Sequence, residues 1–305
     1  MMKYTNFFTF GLMLLIGSIN ALAQYQSEEF KSFLEAAEKG DVMMQYNVGV
    51  CYEQGRGVSQ NPTEAAKWYQ KAAEKGYAEA QNSLGLCYIQ GAGVIKDYSE
   101  AIKWFRLSAS QGNAGAEHNL GFCYYSGTGV SQDYDLAFGF FLLSADQGNA
   151  SSQTYVGICY SNGQGVKQDD AKAVTWYRKA AEQGYPDGQF NLGICYIQGQ
   201  GVSRDCSEAA KWFRKAAKQG HASSQYNLGL CYVYGNGVEI DYDQAAKWFR
   251  LGASQGHAAA QYSLGLCYYL GYGVPKSEVE AIKWYKKAAK QGNADAIAAL
   301  KSLGN

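Results

Sequence analysis

A single sequence period of 36 residues organises this chain. Cysteine recurs at that interval, at Cys51, Cys87, Cys123, Cys159, Cys195, Cys231 and Cys267. The residues around each cysteine recur with it, so residues 40–291 divide into seven units without insertion or deletion. Periods of this length are typical of repeat proteins, in which each unit buries its apolar face against its neighbours. We therefore expect an array of similar units rather than one central core.

Each unit has the sequence signals of two helices. The first helix contains Leu-Gly-x-Cys-Tyr and ends at a Gly-x-Gly-Val loop, whose first glycine suits the positive φ of a helix C-terminus. The second helix begins at a capping box, such as Asp205 followed by Glu208, and carries Trp or Phe at one repeated position. Glycine inside the first helix costs about 1 kcal/mol against Ala. Its return in every unit therefore predicts a close helix contact there.

The two ends of the array predict capping helices. Residues 24–39 resemble an isolated second helix, and residues 292–305 resemble a first helix in which Lys301 replaces the interior glycine. A charged residue there cannot accept a further repeat. Residues 1–23 have Lys3, a short apolar run, and Ala21 and Ala23 before the expected cleavage point. This pattern predicts a signal peptide and a periplasmic or secreted mature chain, with no membrane insertion after cleavage.

The eight cysteines are predicted to be free thiols rather than a disulfide framework. Equivalent positions of neighbouring helix pairs lie on the order of 10 Å apart, whereas a disulfide needs Cα atoms within about 7 Å. The seven periodic cysteines, called the ladder cysteines below, are interpreted as buried apolar residues. Cys206 lies outside the period, at the start of a second helix, where amide dipoles favour a thiolate. Cys206 is therefore a candidate reactive thiol, with a tolerated substitution as the alternative.

Charge and motif content exclude several functional classes. Lys+Arg and Asp+Glu number 27 each, and loss of Lys3 with the signal peptide leaves 26 basic residues against 27 acidic ones. A near-neutral chain has no field for a polyanion, which disfavours nucleic acid and anionic membrane surfaces as partners. No H-E-x-x-H, Walker or C-x-x-C motif occurs. No catalytic, cofactor or metal site is predicted, and His118, His221 and His257 are interpreted as surface or turn residues.

The repeat resembles the Sel-1-like repeat family, a relative of the tetratricopeptide repeats. Units such as L-G-L-C-Y-I-Q-G-A-G-V-I-K-D-Y-S-E-A-I-K-W-F match the family pattern seven times in phase over residues 40–291. The resemblance implies a right-handed α-solenoid that acts as a scaffold or adaptor, so the predicted fold is all-α. Cysteine-rich relatives have been linked with β-lactamase activity. S-x-x-K and K-T-G are absent here, and no two cysteines are eight apart as in those relatives.

Variation within the regular repeat indicates a binding groove. Two first-helix positions, seven residues apart and so on one helical face, differ between units and favour aromatic or aliphatic residues. In superhelices of this kind the first helices line the concave side. Solvent-exposed drift is the alternative explanation. The candidate groove residues are Tyr46, Glu53, Ile89, His118, Tyr125, Phe190, Ile197, Tyr226, Val233, Tyr262 and Tyr269.

The third unit departs from the pattern on its second helix. Phe138–Leu143 replaces the usual charged outer residues with apolar ones. An exposed strip of this kind favours docking or self-association, while repacking of the seam between repeats is the structural alternative.

These observations predict an exported scaffold rather than an enzyme. The partner would be a protein, bound as a peptide or helix in the concave groove. Two alternatives remain: a β-lactamase or cell-wall amide hydrolase, and a binder of a small amphipathic or glycan ligand in the same groove.

Overall fold

A computed structural model describes residue 24 and residues 26–304. In this part of the chain the structure consists of sixteen helices and contains no β-strand. The predicted signal peptide, residues 1–23, lies outside the described residues. The first helices of the repeats are α2 (Val42–Gln54), α4 (Ala78–Gln90), α6 (Ala114–Ser126), α8 (Ala150–Asn162), α10 (Pro186–Gln198), α12 (Ala222–Tyr234) and α14 (Ala258–Leu270). The second helices are α3 (Pro62–Glu74), α5 (Tyr98–Ala109), α7 (Tyr134–Asp146), α9 (Asp170–Glu182), α11 (Cys206–Lys218), α13 (Tyr242–Ser254) and α15 (Glu278–Ala289).

A further helix lies at each end of the repeats. Helix α1 covers residues 26–38, and α16 covers Ala294–Ser302. The chain forms two compact units, one ending at Phe140 and one beginning at Phe141, so the division falls within α7. Within each of these two compact units, helices that follow one another in sequence pack together, as α4 does with α3 and α5, and α12 does with α11 and α13.

The helix ends form as the local sequence predicts. The Asp97 carboxylate accepts hydrogen bonds from the backbone N–H groups of Ser99 and Glu100 at the start of α5. At the other end of a first helix, Gly91 has a φ of 72° and its N–H donates to the Cys87 carbonyl. This left-handed conformation is open to glycine at little cost, which explains why the loop opens with glycine in every unit.

The interior glycines lie against a buried aromatic ring of the following second helix. A Cβ atom added to Gly193 would lie 2.6 Å from the Phe213 ring, and one added to Gly229 would lie 2.5 Å from the Phe249 ring. These rings are almost fully buried. The predicted close contact is therefore confirmed. Its partner is the aromatic residue after the repeated Trp, since Trp212 and Trp248 themselves remain partly exposed.

A buried glutamine on the first helix of six of the seven repeats bridges that helix to its neighbours, whereas the third repeat has Glu117 at this position. The Gln189 Nε2 group donates to the Ala181 carbonyl of the preceding helix, and its Oε1 atom accepts from Gln219, 30 residues later. Equivalent donors are Gln45, Gln81, Gln153, Gln225 and Gln261. In the first repeat Lys75 stands where later repeats have glutamine, and the Gln45 Oε1 atom lacks a partner. Burial of these amides is offset by their hydrogen bonds, which fix the packing of the second helix on the next repeat.

No described helix is long and apolar enough to cross a bilayer.

Candidate binding face on the first helices

The aromatic candidates at the first groove position, Tyr46, Phe190, Tyr226 and Tyr262, are half-buried, and the first three lie at seams between repeats. Phe190 packs against Phe213 of its own repeat, at 6.0 Å between ring centroids, and against His221 of the next, at 5.0 Å. Tyr226 has the same arrangement with Phe249 at 6.0 Å and His257 at 5.2 Å. Neighbours on both sides hold each ring, and part of its surface stays open. Residues of this kind are both packing residues and potential contact residues.

The other two aromatic candidates at the first groove position, Tyr46 and Tyr262, also pack against rings of the second helices. Tyr46 packs against Tyr69 and Tyr77, and Tyr262 packs against Tyr285. His118 is half-buried, and burial lowers the pKa of its imidazole. A lower pKa keeps this imidazole neutral at physiological pH.

The second candidate position, seven residues later, is more diverse. Ile197 and Val233 are half-buried and pack on the core of the following second helix. Ile89 is also half-buried, and Tyr125 meets Tyr134 edge to face at 5.3 Å. The Glu53 carboxylate accepts a hydrogen bond from the Tyr69 hydroxyl at 2.8 Å. Of the two aromatic residues at this second position, Tyr269 is more exposed than Tyr125, with 38% of its surface accessible.

A cleft of about 320 Å³ opens between α8, α10 and α12. In this cleft Phe190 lies beside Asp187 and Asn191, which the sequence analysis did not predict as groove residues. The lining residues are Ser151, Thr154, Tyr155, Ile158, Tyr185, Asp187, Phe190, Asn191 and His221. A mixture of aromatic walls and a few convergent polar groups is what binding clefts usually contain.

One charged pair lies in this cleft. The His221 Nε2 atom lies 3.2 Å from the Asp187 Oδ1 atom, and the hydrogen bond from His221 holds the Asp187 pKa below its usual value. On its other side the His221 Nδ1 atom accepts a hydrogen bond from the Ser224 backbone N–H at the start of α12. Because Nδ1 accepts, the neutral ring carries its proton on Nε2 and donates it to Asp187. The sequence pattern of the repeats did not predict the contact between His221 and Asp187.

A smaller cleft of about 130 Å³ lies beside the last repeat. Tyr262 and Tyr269 line it together, with Leu266, Tyr285 and residues of α16. The structure thus brings two predicted groove residues into one concavity here.

Charge is segregated between the two sets of helices. None of the seven first helices contains Lys or Arg, and their charged residues are Glu53, Glu79, Glu117 and Asp187. The second helices carry Lys or Arg in every repeat except the third. Several of these cations lie over the repeated Trp, as Lys215 does at 3.8 Å from the Trp212 ring centroid.

The described residues contain no group of three or more His, Cys, Asp or Glu suited to a metal ion. His221 and His257 cap helices, and neither is a fully exposed turn residue. Cys206 is half-buried as the first residue of α11, whereas all the ladder cysteines are buried free thiols, which confirms their interpretation.

The apolar run of the third repeat is only partly exposed. Phe141 is fully buried and stacks on Tyr155 at 4.7 Å, so it cannot belong to an exposed contact. Phe140 is half-buried and stacks on Tyr124 at 5.8 Å. Among the large side chains of Phe138–Leu143, Leu143 is the exposed one, at 55%. Self-association through this run stays a prediction that would rest mainly on Leu143 and the nearby Leu136.

Fold and face together define an all-α helix-turn-helix repeat protein of the tetratricopeptide type, a class typical of protein–protein interaction scaffolds. The Sel1 repeat matches seven consecutive stretches of the sequence, which are residues 42–77, 78–113, 114–149, 150–185, 186–221, 222–257 and 258–293. The chain belongs to the Sel1 repeat family. The predicted all-α fold of seven repeats is thereby confirmed.

Solved structures agree with this assignment. The crystal structure of c5321, a protective antigen of uropathogenic Escherichia coli with an SLR fold, is 38% identical with a TM-score of 0.77. The match covers 88% of this chain and 57% of that one, so the chain spans little more than half of the E. coli protein. A Sel1 repeat protein from Oxalobacter formigenes is 34% identical with a TM-score of 0.73, covering 92% and 85% of the two chains. Yeast Tom70, at 13% identity and a TM-score of 0.50, shares the fold alone. No curated protein matched the sequence.

Proposed function

We propose that this protein is an exported scaffold that binds a segment of a protein partner on the face formed by its first helices. The observation that carries the proposal is the series of half-buried rings at Tyr46, Phe190, Tyr226 and Tyr262. Each ring is held by its own repeat and, for the first three, also by the next repeat. Phe190 lines one cleft and Tyr262 lines another.

Preorganisation is the mechanism of binding in this proposal. Aromatic side chains that are already fixed lose little conformational entropy when a partner covers them, so more of the burial free energy appears as affinity. The partner segment, a peptide or a helix, would place apolar side chains against the rings at the spacing of the repeats. No bond is made or broken in this scheme, and no cofactor is needed.

Export rests on two supports. Residues 1–23 have the sequence pattern of a signal peptide, and the related E. coli protein is described as a protective antigen. Fusion of residues 1–30 to an alkaline phosphatase that is active only outside the cytoplasm tests this part. Phosphatase activity supports export, and an inactive, cytoplasmic fusion contradicts it.

The scaffold proposal is tested by blocking the face without disturbing the packed rings. Asn191 and Asn227 occupy the same half-buried position of α10 and α12. In the double variant Asn191→Arg/Asn227→Arg, two long charged side chains would cover the face. The matched control, Thr175→Arg/Ser254→Arg, adds the same charge at exposed positions of the second helices α9 and α13.

Chemical cross-linking in the producing cells, followed by purification, gives the readout. We expect the wild-type chain and the control to retain a partner protein that the blocked variant loses. A partner retained by all three chains would contradict the proposed face. Parallel assays for β-lactam hydrolysis and for glycan binding address the two alternative functions, since either activity in a chain without a protein partner would replace the scaffold proposal.

A further inference from the structure

The cleft between α8, α10 and α12 combines one open carboxylate with aromatic and aliphatic walls. The Asp187 side chain keeps 52% of its surface exposed although it pairs with His221. Tyr155, Ile158 and Phe190 form the walls beside it. A partner group that enters the cleft can therefore reach a negative charge and apolar surface at once.

The cleft holds its carboxylate in the charged form and in one position. His221 is fixed by its contact with the Phe190 ring and by its cap of α12, and its Nε2 atom donates to Asp187. The hydrogen bond from His221 lowers the Asp187 pKa, so the carboxylate is ionised at neutral pH. A fixed carboxylate next to apolar walls binds a cation more strongly than a freely solvated one does.

The surrounding face favours a cation and offers no competing one. The first helices contain no Lys or Arg, whereas the second helices contain many. A positively charged side chain that approaches α8, α10, α12 or α14 therefore meets one carboxylate, that of Asp187, and no Lys or Arg of these helices. The long alkyl stem of Lys or Arg can also pack along Ile158 and Phe190, while its charged end stays at the rim near Asp187.

Size restricts the occupant further. A cleft of about 320 Å³ lies at the lower end of the range for small-molecule sites, about 300–1,000 Å³. It suits one long side chain and an adjacent apolar residue of a larger partner.

From this charge complementarity we infer that the Asp187 cleft binds a Lys or Arg side chain of the partner protein, next to an apolar residue that contacts Phe190. The inference rests on the proposed scaffold function and specifies its partner. It makes Asp187 a specificity-determining residue and assigns His221 the role of positioning it.

A random dodecapeptide library displayed on phage provides the probe. It is selected on the chain from Gln24 onward, and enriched peptides are synthesised and their Kd values measured. We expect the enriched peptides to share Lys or Arg next to an aromatic or aliphatic residue. Asp187→Asn, which keeps the shape of the side chain, should weaken their binding about 10- to 100-fold, as expected when a charge-assisted hydrogen bond is lost.

Two controls isolate the charge. Asp295→Asn removes a carboxylate at the same repeat position beyond the cleft, and it should leave the Kd within about twofold. Replacing the peptide Lys by norleucine keeps the alkyl stem and removes the charge, so it should weaken binding to the wild-type chain but not to Asp187→Asn. Circular dichroism and the Tm of each variant confirm that it is folded.

The outcomes separate this inference from the scaffold proposal. Peptides that lose binding to Asn191→Arg/Asn227→Arg, but bind Asp187→Asn as tightly as wild type, would overturn the cation cleft and leave the scaffold face standing. If no enriched peptide is sensitive to the blocked variant, the scaffold proposal fails, and the inference fails with it.

Discussion

At the scale of single residues, the ladder cysteines behave as small apolar groups. Burial raises the pKa of the Cys87 thiol to about 11 and that of Cys159 to about 12. Both thiols are therefore protonated at neutral pH, and the reactive thiolate is almost absent. Cys206 differs because its side chain is half-buried at a helix start.

Thiol titration with a disulfide reagent at about pH 8 should separate the two groups. We expect Cys206 to react within minutes in the folded protein and the ladder cysteines to react only after denaturation. Cys206→Ser should remove the fast phase and leave the slow one unchanged. A fast phase that persists in Cys206→Ser would show that ladder thiols are accessible.

Two histidines cap first helices in positions where other repeats use Asn. The His257 Nδ1 atom accepts a hydrogen bond from the Ala260 backbone N–H, as the Asn149 side chain does from Ser152. Burial, together with the nearby His221, lowers the pKa of His257. Because its folded pKa is depressed, His257 stabilises the fold above its unfolded pKa of about 6.5, and this contribution is lost as the pH falls below that value.

His257→Asn should therefore reduce the acid sensitivity of the protein. Asn keeps the cap but does not titrate, so we expect the decrease in Tm between about pH 7.5 and about pH 5 to shrink by a few degrees. Ser277→Asn, an exchange of caps at α15 without a histidine, serves as the control and should leave the pH dependence unchanged. An unchanged decrease in His257→Asn would contradict this role.

At the scale of elements, the contact between a first-helix glycine and a second-helix ring sets the distance between the two helices of a repeat. The Gly229 backbone lies against Phe249, which is 2% exposed and has no room to move away. Gly139 in α7 is different, since a Cβ atom added there would meet nothing within 4 Å. The same residue type thus has opposite consequences at two helical positions.

Alanine substitution at these two glycines should change stability in opposite directions. Gly229→Ala gains about 1 kcal/mol of helix propensity but overpacks the Phe249 contact at a cost of about 1–3 kcal/mol, so we expect a net loss of up to about 2 kcal/mol. Gly139→Ala should gain about 0.5–1 kcal/mol. Thermal denaturation measures both, and an increase in Tm for Gly229→Ala would contradict the contact.

At the scale of the whole molecule, repeats and end helices share one packing pattern. Helix α16 covers the last second helix, where Ala288 and Ala296 are fully buried against each other's helices. Within the repeats, cations are confined to the second helices and the loops between helices, and the second helix of the third repeat has none. One helix set is thereby left free of positive charge along the repeats.

Disruption of the packing of α16 on the last repeat should destabilise the repeat array. Ala296→Arg would place a charge in the fully buried contact of α16, and we expect a Tm lower by several degrees together with concentration-dependent association from the uncovered apolar surface. Ala298→Arg, at an exposed position of the same helix, is the matched control and should behave as wild type. Size-exclusion chromatography with light scattering measures the association. Equal behaviour of both variants would show that α16 is not a cap.

Several features of the candidate site lay beyond sequence reasoning. The series at Phe190 and Tyr226 was predicted from its variation between repeats, but its place in the seams depends on contacts with His221 and His257 from the next repeat. The glutamine bridges were detectable as a repeated residue, yet their partners lie 8 and 30 residues away. Asp187 carried no sequence signal, since its significance comes from the cleft around it.

The sequence by itself determined the period, the helices and their ends, because caps, glycine turns and helical periodicity are local in the chain. It also determined the free ladder cysteines, since the constant spacing of 36 residues keeps equivalent positions apart. Only the tertiary structure decided which aromatic residue packs on the interior glycine, which side of Phe190 stays open and where Asp187 meets His221. These features depend on how side chains from separate repeats share one volume, and that packing is not encoded in any single stretch of sequence.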